Sequence, residues 1–122
     1  SSAATAQAML FNDDLMARKA AIQLMAKFPE QALSVAEGHM RANDEFRVRI
    51  GIELLAQVGT DAALVRIADM LLDPRPGVRI ECLLRLNGRC PAKYRADYLS
   101  LRNDPVVSVK SVAAGTDPGT VE

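Results

Sequence analysis

The chain has 122 residues, enough for one modest domain with a buried core, and 49% of them are hydrophobic against 25% charged, a balance that excludes an intrinsically disordered segment. Fifteen basic and fifteen acidic residues cancel to a formal net charge of zero, so no global field draws the chain to nucleic acid or to an anionic membrane. Aromatic residues make up 4% and Trp is absent; a chain rich in Ala, Leu, Met, Arg and Glu favours helices over strands.

The opening Ser1-Ser2-Ala3-Ala4-Thr5 has neither the basic n-region nor the apolar core of a signal peptide. No apolar run reaches the roughly 20 residues of a membrane span. Cys82 and Cys90 lie eight apart and match neither a disulfide framework nor a zinc pattern. A reduced, cytoplasmic setting is expected, with no cofactor and no membrane.

In chain order, residues 1–11 read as the remnant of a preceding helix, with Met9 in register with Met40. Four segments then open alike, at Asn12-Asp13-Asp14, Asn43-Asp44-Glu45, Leu72-Asp73-Pro74 and Asn103-Asp104-Pro105. The aspartates Asp13, Asp44, Asp73 and Asp104 are separated by 31, 29 and 31 residues, and a basic column of Arg18, Arg49, Arg79 and Lys110 follows at 31, 30 and 31. Two columns keeping one period mark an internal repeat.

Each unit reads as a pair of helices. The first carries apolar residues at helical spacing, such as Val48, Ile52, Leu55 and Val58, then Val78, Cys82, Leu83 and Leu86. The opening Asp is placed to cap it, and Pro74 and Pro105 suit its first turn. Phe28-Pro29, Gly59-Thr60 and Asn87-Gly88 break the chain before the second helix. The second helices share a column of Leu33, Leu64 and Tyr94, and another of Met40, Leu71 and Leu101. The units are about 12–42, 43–71, 72–102 and 103–114, and 115–122 reads as a flexible tail. A lone pair of short helices buries too little surface, so neighbouring units must stack. Stacking turns the columns Asp13, Asp44, Asp73, Asp104 and Arg18, Arg49, Arg79, Lys110 into a structural ladder.

The run Asp73-Pro74-Arg75-Pro76-Gly77-Val78-Arg79, with Cys82 and Leu86 behind it, resembles a HEAT repeat. The period is similar to that of the compact HEAT-like repeats of the phycobilisome-lyase type, and the resemblance spans residues 12–114. It implies an all-α fold, a right-handed α-α superhelix of about three to four helix pairs. The first and last copies depart from the pattern, with Ala17 for Val and Lys110 for Arg; they are end caps or the cut edges of a longer solenoid.

No residue set points to catalysis or to a metal site. His39 is the single histidine and reads as a surface or boundary residue beside Met40. Cys82 shares a core column with Ile52 and Ala21 and reads as buried. Cys90, between Arg89 and Pro91, reads as a turn residue, although nearby positive charge would lower its pKa. The pairs Asp13-Asp14 and Asp44-Glu45 coincide with helix starts, where the helix dipole favours negative charge.

Solenoids bind through the surface of their second helices. There the positions opposite the buried columns include Ser34 and Gly38, together with Arg41, Arg66, Asp69, Arg95 and Arg102, which are expected to meet an acidic protein face. The expected function is a non-catalytic scaffold for protein–protein interaction. The alternatives are a nucleic-acid-binding repeat, with Arg18, Arg49, Arg79 and Lys110 as a phosphate track, and an auxiliary subunit of a lyase-type modifying enzyme.

Overall fold

The computed structural model describes residues 2–10 and 12–119, and every regular element in them is helical. Eight α-helices run in order: α1 (Ser2–Met9), α2 (Leu15–Met25), α3 (Pro29–Met40), α4 (Glu45–Val58), α5 (Asp61–Ala68), α6 (Pro76–Arg85), α7 (Arg95–Ser100) and α8 (Val107–Ala114). Single 3₁₀ turns at Ala92–Tyr94 and Leu101–Asn103 flank α7. The chain divides into two compact units, residues 1–59 and 60–122.

In residues 1–59, α1 packs on α2, α2 on α4, and α3 most closely on α4. Helix α2 starts where Asp14 accepts the Met16 N–H, and it buries Ala21, Ile22 and Met25, one helical face. Helix α3 has Pro29 in its first turn, which sacrifices no donor. Its buried face is Ala32, Ala36 and His39. The small side chains of Ala32 and Ala36 let α4 come close, and Gly51 of α4 completes the approach. A Cβ at Gly51 would lie 2.9 Å from Met40 Cγ, 3.0 Å from the Ala36 carbonyl and 3.2 Å from His39 Cβ. Asp44 caps α4 through the Phe46 N–H. Gly59, at φ 69°, ends it with its N–H on the Leu55 carbonyl, a conformation that glycine adopts without Cβ strain.

In residues 60–122, Thr60 caps α5 by accepting the Ala63 N–H, and α5 packs on α6. Helix α6 begins at Pro76, so Pro76 takes the first-turn position expected of Pro74, which lies upstream of the helix. Likewise α8 begins at Val107, beyond Pro105. The stretch expected from the sequence as a third unit's second helix is a 3₁₀ turn, the six-residue α7 and another 3₁₀ turn. Within it the core position belongs to Tyr98, fully buried with its phenol donating to the Leu83 carbonyl at 3.0 Å. Tyr94, expected in the core column, instead reaches outward and donates to Asp69. A phenol settles where its hydroxyl finds a partner, and the rise of a 3₁₀ turn shifts which tyrosine faces in. Helix α8 packs on α6.

Residues 115–119, expected to be a loose tail, carry an ordered set of contacts. The Gly88 N–H donates to the Asp117 carbonyl at 2.7 Å and the Cys90 N–H to the Pro118 carbonyl at 2.9 Å. The Asp117 N–H donates to the Asn87 side chain at 3.0 Å, and Pro118 is buried. Two turn N–H donors that would otherwise need water are satisfied in this way. Residues 120–122 lie outside the described residues.

Candidate functional site

The helix starts show what the recurring acidic and basic positions do. Asn12 accepts the Asp14 N–H at 2.9 Å, Asp73 the Arg75 N–H at 2.9 Å, and Asp104 the Val106 N–H at 2.9 Å. Each of these acceptors stands six residues before a member of the basic column. Arg18 Nη1 donates to the Asn12 and Asp13 carbonyls at 2.9 and 3.2 Å. Arg79 Nη1 makes the same pair of bonds to Asp73 and Pro74 at 2.8 and 3.1 Å. The column equivalent to Arg18, Arg49, Arg79 and Lys110 is therefore Asn12, Asn43, Asp73 and Asp104, spaced 31, 30 and 31. Asp13 is exposed and leaves the cap to Asp14. At α4, Asp44 caps one residue later than the column, and Arg49 pairs with Glu45 at 4.0 Å, both half exposed. Lys110 is exposed.

Arg79 and Asp104 meet directly. Arg79 Nε and Nη2 grip the two carboxylate oxygens at 2.9 and 3.0 Å, with both side chains at or below 10% exposure. Burial pushes the Asp104 carboxyl up, but the Arg79 bonds, the Val106 N–H and the Arg79 charge outweigh it and hold the carboxyl below its ordinary range. Asp73 is also held low, first by the hydrogen bond from the Arg75 guanidinium. The Arg79–Asp104 pair lies just beneath the surface, so its loss belongs at about 2–3 kcal/mol, near the value for hydrogen bonds to charged groups.

Several charged residues of the expected partner face contact the chain itself. Arg95 Nη1 donates to the Gly119 carbonyl at 2.6 Å. Arg102 donates to the Thr116 and Ala113 carbonyls at 3.0 and 3.3 Å, with Asp117 at 3.9 Å. Asp69 accepts from Tyr94, and that bond raises the phenol above its ordinary range. Arg41, 81% exposed, pairs with Glu37 one turn back at 3.6 Å. Arg66 is half-buried on α5.

Ser34 and Gly38, on the same face, line an open cleft of about 640 Å³ within residues 1–59. Helix α1 supplies Ala4, Gln7 and Ala8, and α3 supplies Ser34, Val35 and Gly38. His39 and Arg47, from the end of α3 and the start of α4, complete the lining. Sequence reasoning read His39 as a surface or boundary residue; it is 6% exposed. The correction has a simple cause: Ala32, Ala36 and His39 share the face of α3 that closes on Gly51. Arg47 Nε donates to His39 Nδ1 at 3.5 Å, a long contact. Burial first, and the Arg47 charge second, push the imidazole below its ordinary pKa, so it is neutral at pH 7. Sequence reasoning does not single out Arg47, because Arg49 fits the expected basic column and Arg47 does not.

Both cysteines are free and buried. Burial pushes the Cys82 thiol far up, and its Sγ donates to the Ile67 carbonyl at 3.5 Å. For Cys90 burial also dominates; Arg95 pulls the other way, and the thiol is pushed up to about 11. Nearby charge thus loses to desolvation, and neither thiol is activated as a nucleophile. A smaller hollow of about 420 Å³ adjoins Cys90, between Asp61, Leu64 and Val65 on one side and Arg89 and Pro91 on the other. Among the described residues, no group of three or more His, Cys, Asp or Glu is placed to hold a metal ion, and no helix is long and apolar enough to cross a membrane. Comparison with protein-family models, with curated proteins and with solved structures returns no match to this chain.

Proposed function

We propose that the chain is a HEAT-like helical-repeat scaffold, a right-handed α-α superhelix of three to four helix pairs that binds a protein partner and performs no turnover. The observation that carries this reading is a set of three glycines, two of them in contact. Gly59, Gly88 and Gly119 are the residues at positive φ among those described, at 69°, 77° and 91°, and they are spaced 29 and 31 apart. Gly88 and Gly119 also touch: a Cβ on Gly119 would fall 2.6 Å from the Gly88 carbonyl oxygen. Like position rests on like position one period away, as stacked repeats require. The Arg79 grip on Asp104, which opens the following unit, supports the same reading.

The partner would dock on the second-helix face, where Ser34 and Gly38 border the cleft. A phosphate track along the basic column is disfavoured, because Arg18 and Arg79 spend N–H donors on backbone carbonyls. A cytoplasmic setting is part of the proposal and is supported by the two free thiols.

The test is affinity capture with the immobilised chain, comparing wild type with Ser34→Arg. Exposed Ser34 tolerates the change in the fold, so loss of the captured partner with unchanged circular dichroism is the expected result. Equal recovery by both proteins would remove the cleft face from the binding surface. Capture of nucleic acid in place of protein would remove the scaffold reading.

A further inference from the structure

We infer that Asn87-Gly88 is a self-modification site, a succinimide-forming pair that water converts to aspartate and isoaspartate, held off by the segment 116–119. The property is independent of what partner the scaffold binds. Among Asn12, Asn43, Asn87 and Asn103, only Asn87 is followed by glycine. The others precede aspartates, whose side chains crowd the main-chain nitrogen that would attack. Asn87 and Gly88 are both exposed, Gly88 sits at φ 77°, and a Cβ built on it meets nothing within 4 Å. The pair therefore has water for the hydrolysis and room for the imide ring.

The step needs neither oxidant nor reductant. The Gly88 nitrogen forms a bond to Asn87 Cγ and gives up its proton to solvent. The Cγ–Nδ2 bond breaks, and ammonia leaves with a proton taken from solvent. Water then adds to one imide carbonyl or the other. One opening restores the main chain as aspartate, and the other routes it through the side chain as isoaspartate. The attack requires the Gly88 peptide to turn toward Cγ and to shed its N–H proton.

Asp117 opposes both requirements at once. Its carbonyl takes the Gly88 N–H at 2.7 Å, and its own N–H is given to Asn87 Oδ1 at 3.0 Å. The nucleophile keeps its proton and its peptide plane, and the side-chain amide is pinned. The segment is fastened by the Cys90 N–H on the Pro118 carbonyl at 2.9 Å and by Arg95 Nη1 on the Gly119 carbonyl at 2.6 Å. The Gly119 N–H closes it onto Asp117 Oδ1 at 2.7 Å, and Pro118 is buried. Reaction thus waits on local opening of this segment. Isoaspartate adds a methylene to the main chain, so the Gly88 and Cys90 N–H groups lose register with the Asp117 and Pro118 carbonyls. An opening that reacts is then not reversed, and Cys90 loses its cover.

The experiment incubates the full chain in neutral buffer and follows Asn87 by peptide mapping with mass spectrometry, with Asn12, Asn43 and Asn103 as references in the same digest. Capped Leu-Asn-Gly-Arg gives the unguarded rate, and wild type is expected to lose the Asn87 amide about tenfold more slowly or slower still. Gly119→Ala forces a Cβ to 2.6 Å from the Gly88 carbonyl oxygen, and Arg95→Leu removes the bond to Gly119. Both are expected to speed the loss about five- to tenfold at unchanged circular dichroism. A variant that fails to fold is replaced by wild type in urea below its midpoint, where Asn87 loss and Gly88 amide exchange are expected to rise together. Wild type reacting as fast as the peptide, or rates that follow neither the substitutions nor Gly88 exchange, overturn the guard. Slower loss in the variants than in wild type overturns it too, and makes the Asp117 N–H a polarising donor on Asn87. Alkylation of aged protein is expected to fall on Cys90 of the isoaspartate-bearing chains, with buried Cys82 as reference; equal labelling of chains that keep Asn87 overturns the one-way release.

Discussion

Helices α2, α3 and α4 of residues 1–59 run 11, 12 and 14 residues, while among the described residues from 60 onward no helix exceeds the ten of α6. The longer helices present enough apolar face to be held by packing, with α3 and α4 brought together at Gly51. Shorter ones bury less face each and are marginal alone. In residues 60–122 polar ties add to the apolar packing: Arg79 to Asp104, Tyr98 to the Leu83 carbonyl, Arg95 to the Gly119 carbonyl, and the turn at Gly88 to Asp117. A close helix contact such as that at Gly51 and a set of directed hydrogen bonds such as that of Arg79 fail in different ways, so the two units have different vulnerabilities.

The largest expected effect falls on the polar side. Arg79→Met leaves Asp104 without its partner and should cost about 2–3 kcal/mol, seen as a lower urea midpoint at unchanged slope. Arg18→Met removes bonds to carbonyls from a half-buried side chain and should cost under about 1 kcal/mol; equal losses from the two would break the comparison. On the packed side, Gly51→Ala forces a Cβ into Met40 and the Ala36 carbonyl. Overpacking of about 1–3 kcal/mol, less about 1 kcal/mol of gained helix propensity, should leave a net loss of about 1 kcal/mol. Smaller and opposite in sign, Gly38→Ala meets no neighbour and should raise stability by about 0.5–1 kcal/mol. One substitution thus changes sign between two glycines flanking the same helix contact.

Acid should separate the two units with the smallest effect at its onset. The lowered His39 pKa means that the folded state resists the proton. Its contribution is full above the ordinary histidine value near 6.5 and is lost as pH falls from there toward the lowered folded value. Asp73 and Asp104 are lowered carboxyls, so their contribution is full above about 4 and is lost only as pH falls through their folded values. Amide signals of residues 1–59 should therefore weaken in mild acid before those of residues 60–122; simultaneous loss would contradict the assignment of His39.

The helical content and the placing of most first and second helices follow directly from the apolar periodicity and the breaks at Phe28-Pro29, Gly59 and Gly88. An alignment on Asp alone leaves the acidic column offset from the basic one; Asn caps a helix as well as Asp does, and Asn12 and Asn43 bring the spacing to that of the basic column. Tyr98 takes the core position expected of Tyr94 because 3₁₀ turns carry no signal in a 3.6-residue period. The cleft was half legible, through Ser34 and Gly38. Arg47 escaped notice because it follows no period, and the cleft depends on the volume that α1 and α3 leave between them, which side-chain spacing does not encode.

The hold of residues 116–119 on the 87–90 turn bears on how the chain can be trimmed. Cutting after α8 would strip the covering from a pair of main-chain amides and bare the surface that Pro118 occludes, leaving Cys90 open to alkylating reagents. A shortened version ending near residue 114 should therefore be stickier and more prone to oxidation than its length suggests, and any fused label belongs well beyond Gly119.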